Sequence, residues 1–419
     1  MAGDADEAVV GSRYVNEWRK STWGDEVTLE YGKALRDYSG TAGSVRVFGT
    51  NGPIGWTDTA LAPGPGVILG RKGAYRGVHY SKEPFFVIDT AYYVVPQAEL
   101  EMRWLYYAIT HHQLGLIDDG SPIPSTTRAA VYPRDLVVPP PAEQRAIAGV
   151  LGALDDKIEQ NRKTAQLLER LARATFRAWF VDFEPVKAKA AGATDFPSMP
   201  QPVFDALPSR FADSDIGPVP EGWAVKGLAD IATFINGLAL QKYPPRNDGE
   251  DLRVIKIAEL RKGSTDGADL ANNDVPAEYV VDDRDLLFSW SGTLEAEFWF
   301  GGKGALNQHL FKVKPSRVPN WFCLLWIRQH LPWFRAIAAS KATTMGHIKR
   351  GHVQEARVVM PAPHVLDQAD HLIGSLYDLH AQLMIESREL TAMRDYLLPK
   401  LLSGEVPIRT TASDDERRQ

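Results

Sequence analysis

Arg71, Lys72, Tyr75 and Arg76 sit in a glycine-rich loop directly after the apolar run Val67-Ile68-Leu69, and Lys82 follows soon after. Long cations on a backbone that can approach closely suit contact with phosphate groups, and arginine also matches the acceptors of a guanine edge. The same composition describes an ordinary solvated charge cluster. Asn307, Gln308 and His309 close a second glycine-rich stretch holding Lys303, where amide side chains can read adenine or simply serve a turn. Thr343, Thr344, His347, Lys349 and Arg350 form a polar loop, echoed by Ser125, Thr126, Thr127 and Arg128. Phosphate contact and plain solvation both fit it. Thr50-Asn51-Gly52 has the composition of a tight turn.

No catalytic grouping stands beside these residues. A base-modifying site would show an Asn/Asp-Pro-Pro-aromatic loop, and Pro139-Pro140-Pro141-Ala142 lacks the polar first residue and the aromatic. The phosphate-cradling Gly-x-x-x-x-Gly-Lys-Ser/Thr pattern is absent, Gly66 to Gly73 being misordered. Asp155-Asp156-Lys157 looks like half a nuclease signature but falls on a heptad helix, where charges face solvent. His111-His112 and His347 with His352 lack acidic or cysteine partners at metal-ligand spacing. The residues therefore point to binding without catalysis, with no metal or cofactor held by this chain.

Length and composition narrow the classes further. The 419 residues allow two or three domains with sizeable cores, and the apolar (44%) and charged (24%) fractions are those of globular proteins. A net charge of -6 excludes a uniformly basic nucleic-acid coat, so phosphates must be met by local patches or with help from partner subunits. The single cysteine, Cys323, makes no intrachain disulfide, and no basic-then-apolar leader opens the sequence, so a cytoplasmic protein is expected. The most apolar stretch, Trp321 to Ala338, is broken by Arg328, Gln329, His330, Pro332 and Arg335. It reads as an amphipathic helix against a core rather than a membrane span.

The elements that must position the loops occur twice. From Gln144, apolar residues at Ile147, Leu151, Leu154, Ile158, then Asn161, Ala165, Leu168, Ala172, Thr175 and Trp179 alternate steps of four and three, a coiled-coil seam. A shift of 225 gives Leu372, Leu376, Leu379, Leu383, then Glu386, Leu390, Met393, Leu397 and Lys400, with a polar residue at the same layer. Trp18, Asp25, Gly32, Ala34 and Leu35 recur 205 positions later as Trp223, Asp230, Gly237, Ala239 and Leu240. Val67-Ile68-Leu69 before Gly73 matches Leu286-Leu287-Phe288 before Gly292 at a shift of 219. Val87-Ile88-Asp89 aligns with Ala305-Leu306-Asn307, and Leu136 to Pro139 with Val358 to Pro361. In this alignment the basic loop corresponds to Ser289-Trp290-Ser291-Gly292, which is polar instead.

The predicted order is an α+β unit over 1–138, with a disordered lead over 1–12, strands at 45–48, 66–69, 85–88 and 92–95, and a helix from Glu99 to Leu114. A long helix follows within 139–185, then a surface linker over 186–222. A second α+β unit spans 223–360, a second long helix 361–404, and a flexible tail 405–419. Antiparallel pairing of the helices would set Asn161 near Glu386, a polar layer that either fixes register or merely reaches solvent. Phe176, Trp179 and Phe180 at the end of the first helix offer a partner surface or cap the seam.

"PPPAEQRAIAGVLGALDDKIEQNRK" at Pro139 to Lys163, "ATFRAWFVDF" at Ala174 to Phe183, "VPEGWAVKGLADIATFINGLA" at Val219 to Ala239 and "LLPKLLSGEV" at Leu397 to Val406 carry a family resemblance. The chain resembles, over essentially its whole length, the specificity subunits of type I restriction-modification systems. The resemblance implies two target-recognition domains separated by two long antiparallel coiled-coil helices, an internal repeat with pseudo-two-fold symmetry. It implies double-stranded DNA as ligand, each domain reading half of a bipartite asymmetric site while the helices fix the unread gap. It further implies two modification (methyltransferase) subunits and added restriction-translocase subunits as partners, which would hold S-adenosylmethionine, ATP and Mg. A coiled-coil protein adaptor and a self-sufficient DNA-modifying enzyme are the competing readings.

Overall fold

The computed structural model describes residues 18–38, 40, 43–118, 120, 122–340 and 346–408, which form two compact units. One contains residues up to 157 together with those from 390, the other residues 158–389. The lead over 1–12 and the end of the expected tail lie outside the described residues.

In the first unit, β1 (Arg19–Thr22), β2 (Val27–Tyr31), β3 (Val45–Gly49), β4 (Gly52–Thr57), β5 (Gly66–Gly70), β6 (Val78–Ser81), β7 (Phe85–Val87) and β8 (Ala91–Pro96) precede helix α1 (Met102–His111). Strand β9 (Asp135–Val138) and the start of helix α2 (Pro141–Phe176) follow. β2, β8, β5 and β6 make an antiparallel sheet in that order, and β4, β3 and β7 a second sheet in which β3 and β7 are parallel. β5 is covered on both faces: Val67 and Leu69 pack with Trp104, Leu105 and Ile109 of α1, and Ile68 clusters with Phe48 and Phe85. A strand without a solvent face must be apolar at every position, which is why this stretch reads as an unbroken run.

β1 pairs with β9, Arg19 opposite Val138, and so brings the beginning of the unit to the start of α2. Pro141 fits the first helical turn, where an N–H would have no acceptor. Buried Gln144 donates through Nε2 to the Pro139 carbonyl (2.9 Å) and accepts from Glu101 N (2.8 Å), tying α2 to α1. Residues 390–402 of the last helix run antiparallel to α2 here, Arg394 meeting Asp155 at 2.8 Å and Leu401 sharing a cluster with Ile147. Gly404, with φ +73°, ends that helix.

The second unit repeats this plan. It contains β10 (Phe211–Ala212), β11 (Val219–Pro220), β12 (Ala224–Gly227), β13 (Ala232–Asn236), β14 (Leu252–Ile255), β15 (Leu270–Ala271), β16 (Val280–Val281), β17 (Leu286–Ser289), β18 (Ala296–Phe298), β19 (Gly304–Leu306) and β20 (Leu310–Pro315). Helix α3 (Asn320–Ser340), β21 (Arg357–Met360), a short helix Pro363–Ala369, a π-helical turn Asp370–Gly374 and the first part of α4 (Ser375–Leu402) complete it. The antiparallel order β13-β20-β17-β18 matches β2-β8-β5-β6, the parallel pair β14/β19 matches β3/β7, and β12/β21 matches β1/β9.

The repeat corrects one alignment. Gly32 and Gly237 sit at the same close approach, where a Cβ would lie 2.0 Å from the Ile88 carbonyl oxygen and 2.2 Å from that of Asn307. Ile88 therefore corresponds to Asn307, and β7 and β8 keep the shift of 219 seen at β5. The polar likeness of Asp89 and Asn307 suggests a register one residue off, because Asp89 is polar as an exposed residue and Asn307 as a buried acceptor for His309 N.

Residues 186–222, expected as a surface linker, are a packed segment. Helices Glu184–Ala190 and Gln201–Asp205 put Val186, Met199, Val203, Phe204 and Leu207 into the main core of the unit, and Lys189 Nζ donates to the carbonyls of Phe204, Asp205 and Leu207. The prolines end short elements here instead of marking a loose tether.

Along α2 the seam positions Ile147, Leu151, Ile158, Asn161, Ala165 and Ala172 are all buried. Within the second unit Asn161 Nδ2 donates to Glu386 Oε2 at 2.8 Å. The last helix differs from the heptad reading: Leu379 (43%) and Met393 (52%) are exposed, while Ile373, Tyr377 and Ala381 are buried. The π turn at Asp370–Gly374 inserts one residue, and the covered face falls later than an uninterrupted heptad gives, by one position at Ile373 and Tyr377 and by two at Ala381.

Candidate nucleic-acid interface

At the end of β5 the loop Arg71-Lys72-Gly73 is stitched to a second loop, Pro124 to Thr126. Gly73 N donates to the Pro124 carbonyl (3.0 Å), Thr126 N to that of Arg71 (2.9 Å), and Lys72 bridges Ser125. The Arg71 guanidinium lies over the rings of Tyr31 (5.0 Å) and Tyr92 (5.8 Å) and donates to the Asp89 carbonyl (2.7 Å). Arg128 also lies over Tyr31 (4.6 Å) and donates through Nε to the Leu29 carbonyl (2.8 Å). Burial, aided by Tyr31, pushes the Tyr92 phenol up to about 12, so the ring stays uncharged beneath the Arg71 guanidinium. Lys72 and Tyr75 stand outermost, Tyr75 with 78% of its surface exposed.

The second unit builds the same stitch from other residues. Gly292 N donates to the Gly346 carbonyl (3.0 Å), Ile348 N to that of Trp290 (2.9 Å), and Ser291 bridges His347. Trp290 takes the place of Arg71 and lies 6.0 Å from Phe311, the counterpart of Tyr92. His309 and His347 complete the group at 6.0 and 6.2 Å from the Trp290 ring. Ser291 Oγ and His309 Nδ1 are hydrogen-bonded at 3.0 Å, and Trp290 Nε1 donates to the Gln308 carbonyl (3.2 Å). Where one unit sets cations on tyrosine, the other gathers an indole and two imidazoles.

Several expected contact residues serve the fold instead. Arg76 is buried, its guanidinium donating to the carbonyls of Gly73 (2.6 Å), Gly115 (2.8 Å) and Ile117 (3.1 Å) and to Thr126 Oγ1 (3.1 Å). Thr126 is buried with it, and Thr127 caps a short helix by accepting from Ala130 N. Lys82 pairs with Asp156 at 2.6 Å; Arg103 first, then Lys82, holds that carboxyl well below the usual carboxylate range. Ser291 and Asn307 are buried, Asn307 Oδ1 accepting from His309 N (3.2 Å). Lys303, Lys349 and Arg350 are exposed, and Thr343 and Thr344 lie outside the described residues. Thr50-Asn51-Gly52 is the β3–β4 turn, with Thr50 Oγ1 donating to the Lys72 carbonyl (2.7 Å).

Phe176, Trp179 and Phe180 are interior, at 2%, 4% and 1% exposure, Phe176 and Phe180 packing edge-on against Phe322. They are not a partner surface, because the second unit's core closes over the end of α2. Leu167 (62%) and Leu171 (53%), one turn apart on α2, are exposed instead, and heptad counting passes them over since they lie off the seam. Tyr31, Tyr92 and Phe311 also belong to the site, and their only sequence signal is an aromatic at the strand end facing the loop. Among the described residues no group of three or more His, Cys, Asp or Glu is arranged to hold a metal ion, and no helix is long and apolar enough to cross a membrane.

Residues 220–373 match the family described as type I restriction modification DNA specificity domain. The chain is 25% identical over 327 residues to the HindI specificity subunit of Haemophilus influenzae, covering 68% of this chain and 71% of that one. It is 22% identical over 407 residues to the MjaIX specificity subunit of Methanocaldococcus jannaschii, covering 93% and 89%. Over most of its length the chain is thus similar to specificity subunits of type I restriction-modification systems. A crystal structure of such an S subunit from M. genitalium shares the fold, with a TM-score of 0.59 at 15% identity over 94% of this chain and 97% of that one. Against this shared fold, the stitched loops are places where the duplicated scaffold diverges in chemistry.

Proposed function

We propose that each unit of this specificity subunit reads one half of a bipartite, asymmetric DNA target through its stitched loops, while the long helices set the unread gap. The observation that carries the reading is one backbone arrangement presenting Arg71, Lys72 and Tyr75 in one unit and Trp290, His309 and His347 in the other. Cations supply salt-dependent phosphate affinity, and each well-made base contact adds about 1–3 kcal/mol of discrimination. The 36 residues of α2 rise about 54 Å, on the scale of one to two turns of B-DNA. Replacing residues 18–138 by the equivalent domain of another specificity subunit is expected to change one half of the motif selected from random duplexes and leave the other unchanged. Simultaneous change of both halves, or failure to enrich any bipartite motif, would overturn the reading in favour of a protein adaptor.

The same proposal assigns two modification subunits to the exposed helix faces and leaves S-adenosylmethionine, ATP and Mg, and all catalysis, to the modification and restriction-translocase partners. Leu167 and Leu171 support it as an apolar stripe flanked by exposed Arg170 and Arg173. Leu167→Glu with Leu171→Glu is expected to reduce co-purification of a modification subunit at least tenfold without loss of helicity. Undiminished assembly in a pull-down would remove this stripe from the docking face.

A further inference from the structure

The first unit carries an apolar tip beside its basic loop. Tyr75 (78%), Leu116 (65%) and Ile123 (64%) are, with Tyr396 (64%) on the last helix, the most exposed of the large apolar side chains described in that unit. They lie on three loops tied into one cluster by buried Arg76, whose guanidinium reaches the carbonyls of Gly73, Gly115 and Ile117, and by the Gly73–Pro124 hydrogen bond. Gly115 permits this closeness, since a Cβ there would lie 2.2 Å from the Arg76 carbonyl oxygen. Leu116 is held outward by its neighbours: Leu114 and Ile117 are both buried, so the turn has already filled the core and leaves Leu116 to solvent.

The scaffold does not require this tip. In the second unit the helix equivalent to α1 continues to Ser340, so a 21-residue helix stands where the first unit has 10 residues followed by the loop. Among the described residues, the turn that presents Leu116 is therefore a feature of the first unit. The tip's occupant follows from its position: Lys72 bridges Ser125 at the foot of the cluster, which joins the tip to the cationic loop. Exposed Asp118, next to Ile117, carries a charge that disfavours a phosphate beside the tip. Apolar side chains presented by DNA-bound loops enter base steps and unstack them.

We propose that Tyr75, Leu116 and Ile123 form a wedge that inserts at one base step of the half-site read by the first unit and kinks the duplex there. The proposal rests on the reading of these loops as a DNA interface. A wedge of this kind favours easily unstacked pyrimidine–purine steps.

The test uses the chain assembled with its modification subunits and the duplex that this complex enriches from a random pool. That duplex carries 2-aminopurine at successive positions of the first unit's half-site, or a donor and acceptor dye at its ends. The wild-type complex is expected to raise the fluorescence several-fold at one step and to bring the ends closer. Leu116→Ser with Ile123→Ser should lose both signals and about tenfold in discrimination at that step, with an unchanged melting temperature, salt slope and second half-site. Tyr75→Phe should keep the signals. Retention of signal and bend in the double variant would overturn the wedge, as would an equal loss on replacing thymine by uracil in that half, which would mean methyl contact without insertion. Loss of subunit assembly in the double variant would make the tip a protein surface and would also overturn it. If the domain exchange of residues 18–138 alters no half-site, the DNA reading fails itself, and that result is separate from these.

Discussion

Arg76→Met is expected to abolish reading of the first half-site and leave the second intact. The guanidinium is the common partner of three loop carbonyls and of Thr126, and a shorter apolar chain leaves those groups buried without a donor. Hydrogen bonds from a charged group contribute about 1.5–3 kcal/mol each, and an orphaned buried acceptor costs about 1–3 kcal/mol. The loops can escape that cost only by separating, which scatters Lys72 and Tyr75. We expect a loss of specific affinity on the order of 100-fold, equivalent to about 2.7 kcal/mol, read in gel shifts with duplexes altered in one half at a time. Arg76→Lys should restore little, because an ammonium cannot reach three carbonyls with fork geometry. Full discrimination at the first half-site in the methionine variant would show that the stitch is not what positions the readers.

Arg328→Ala should cost the second unit about 3–5 kcal/mol of stability, the usual penalty for removing one partner of a buried charge cluster. Arg328 on α3 has 10% of its side chain exposed and pairs with Glu169 of α2 and Glu297 of β18, while its Nε donates to the Ala296 carbonyl (2.9 Å). Alanine leaves two carboxylates facing one another without their cation. Urea unfolding followed by tryptophan emission checks the prediction, because Trp326 lies in the same core. Arg328→Met combined with Glu169→Leu and Glu297→Gln should recover more than half of the loss, since the desolvation penalty then disappears with all three charges. A shift below about 1 kcal/mol in the alanine variant would mean that water reaches the cluster.

The architecture was legible in the sequence wherever burial imposes a period. Val67-Ile68-Leu69, the seam of α2 and the proline punctuation before both long helices each name their element, because a fully covered strand and a heptad face leave no freedom of residue type. The duplication was legible for the same reason. What stayed hidden depended on contacts between distant residues. Arg76 looks like its neighbours Arg71 and Lys72 in composition, and only the carbonyls of Gly115 and Ile117, some 40 positions away, turn it inward. Phe176, Trp179 and Phe180 look like a surface cluster until Trp321, Phe322 and Trp326 close over them. The stitched loops were found as separate polar stretches, yet nothing local to Ser125 or His347 announces the partner strand across which it bridges.

The π turn at Asp370–Gly374 carries a consequence for how the last helix keeps time with its twin. One surplus residue advances everything after it by about 100° around the axis. The sequence from Ser375 onward is therefore written in a different phase from that of α2, and the two helices are not interchangeable halves of one gear but a gear and its offset copy. Removing a single residue from that turn would let an uninterrupted α-helix run through it with Tyr377 and Ala381 still on the covered face, whereas adding or removing a residue after Ser375 would turn the positions that follow off it. Lengthening or shortening the helix by whole turns would preserve the phase, whereas single-residue changes anywhere downstream would be felt along its entire length.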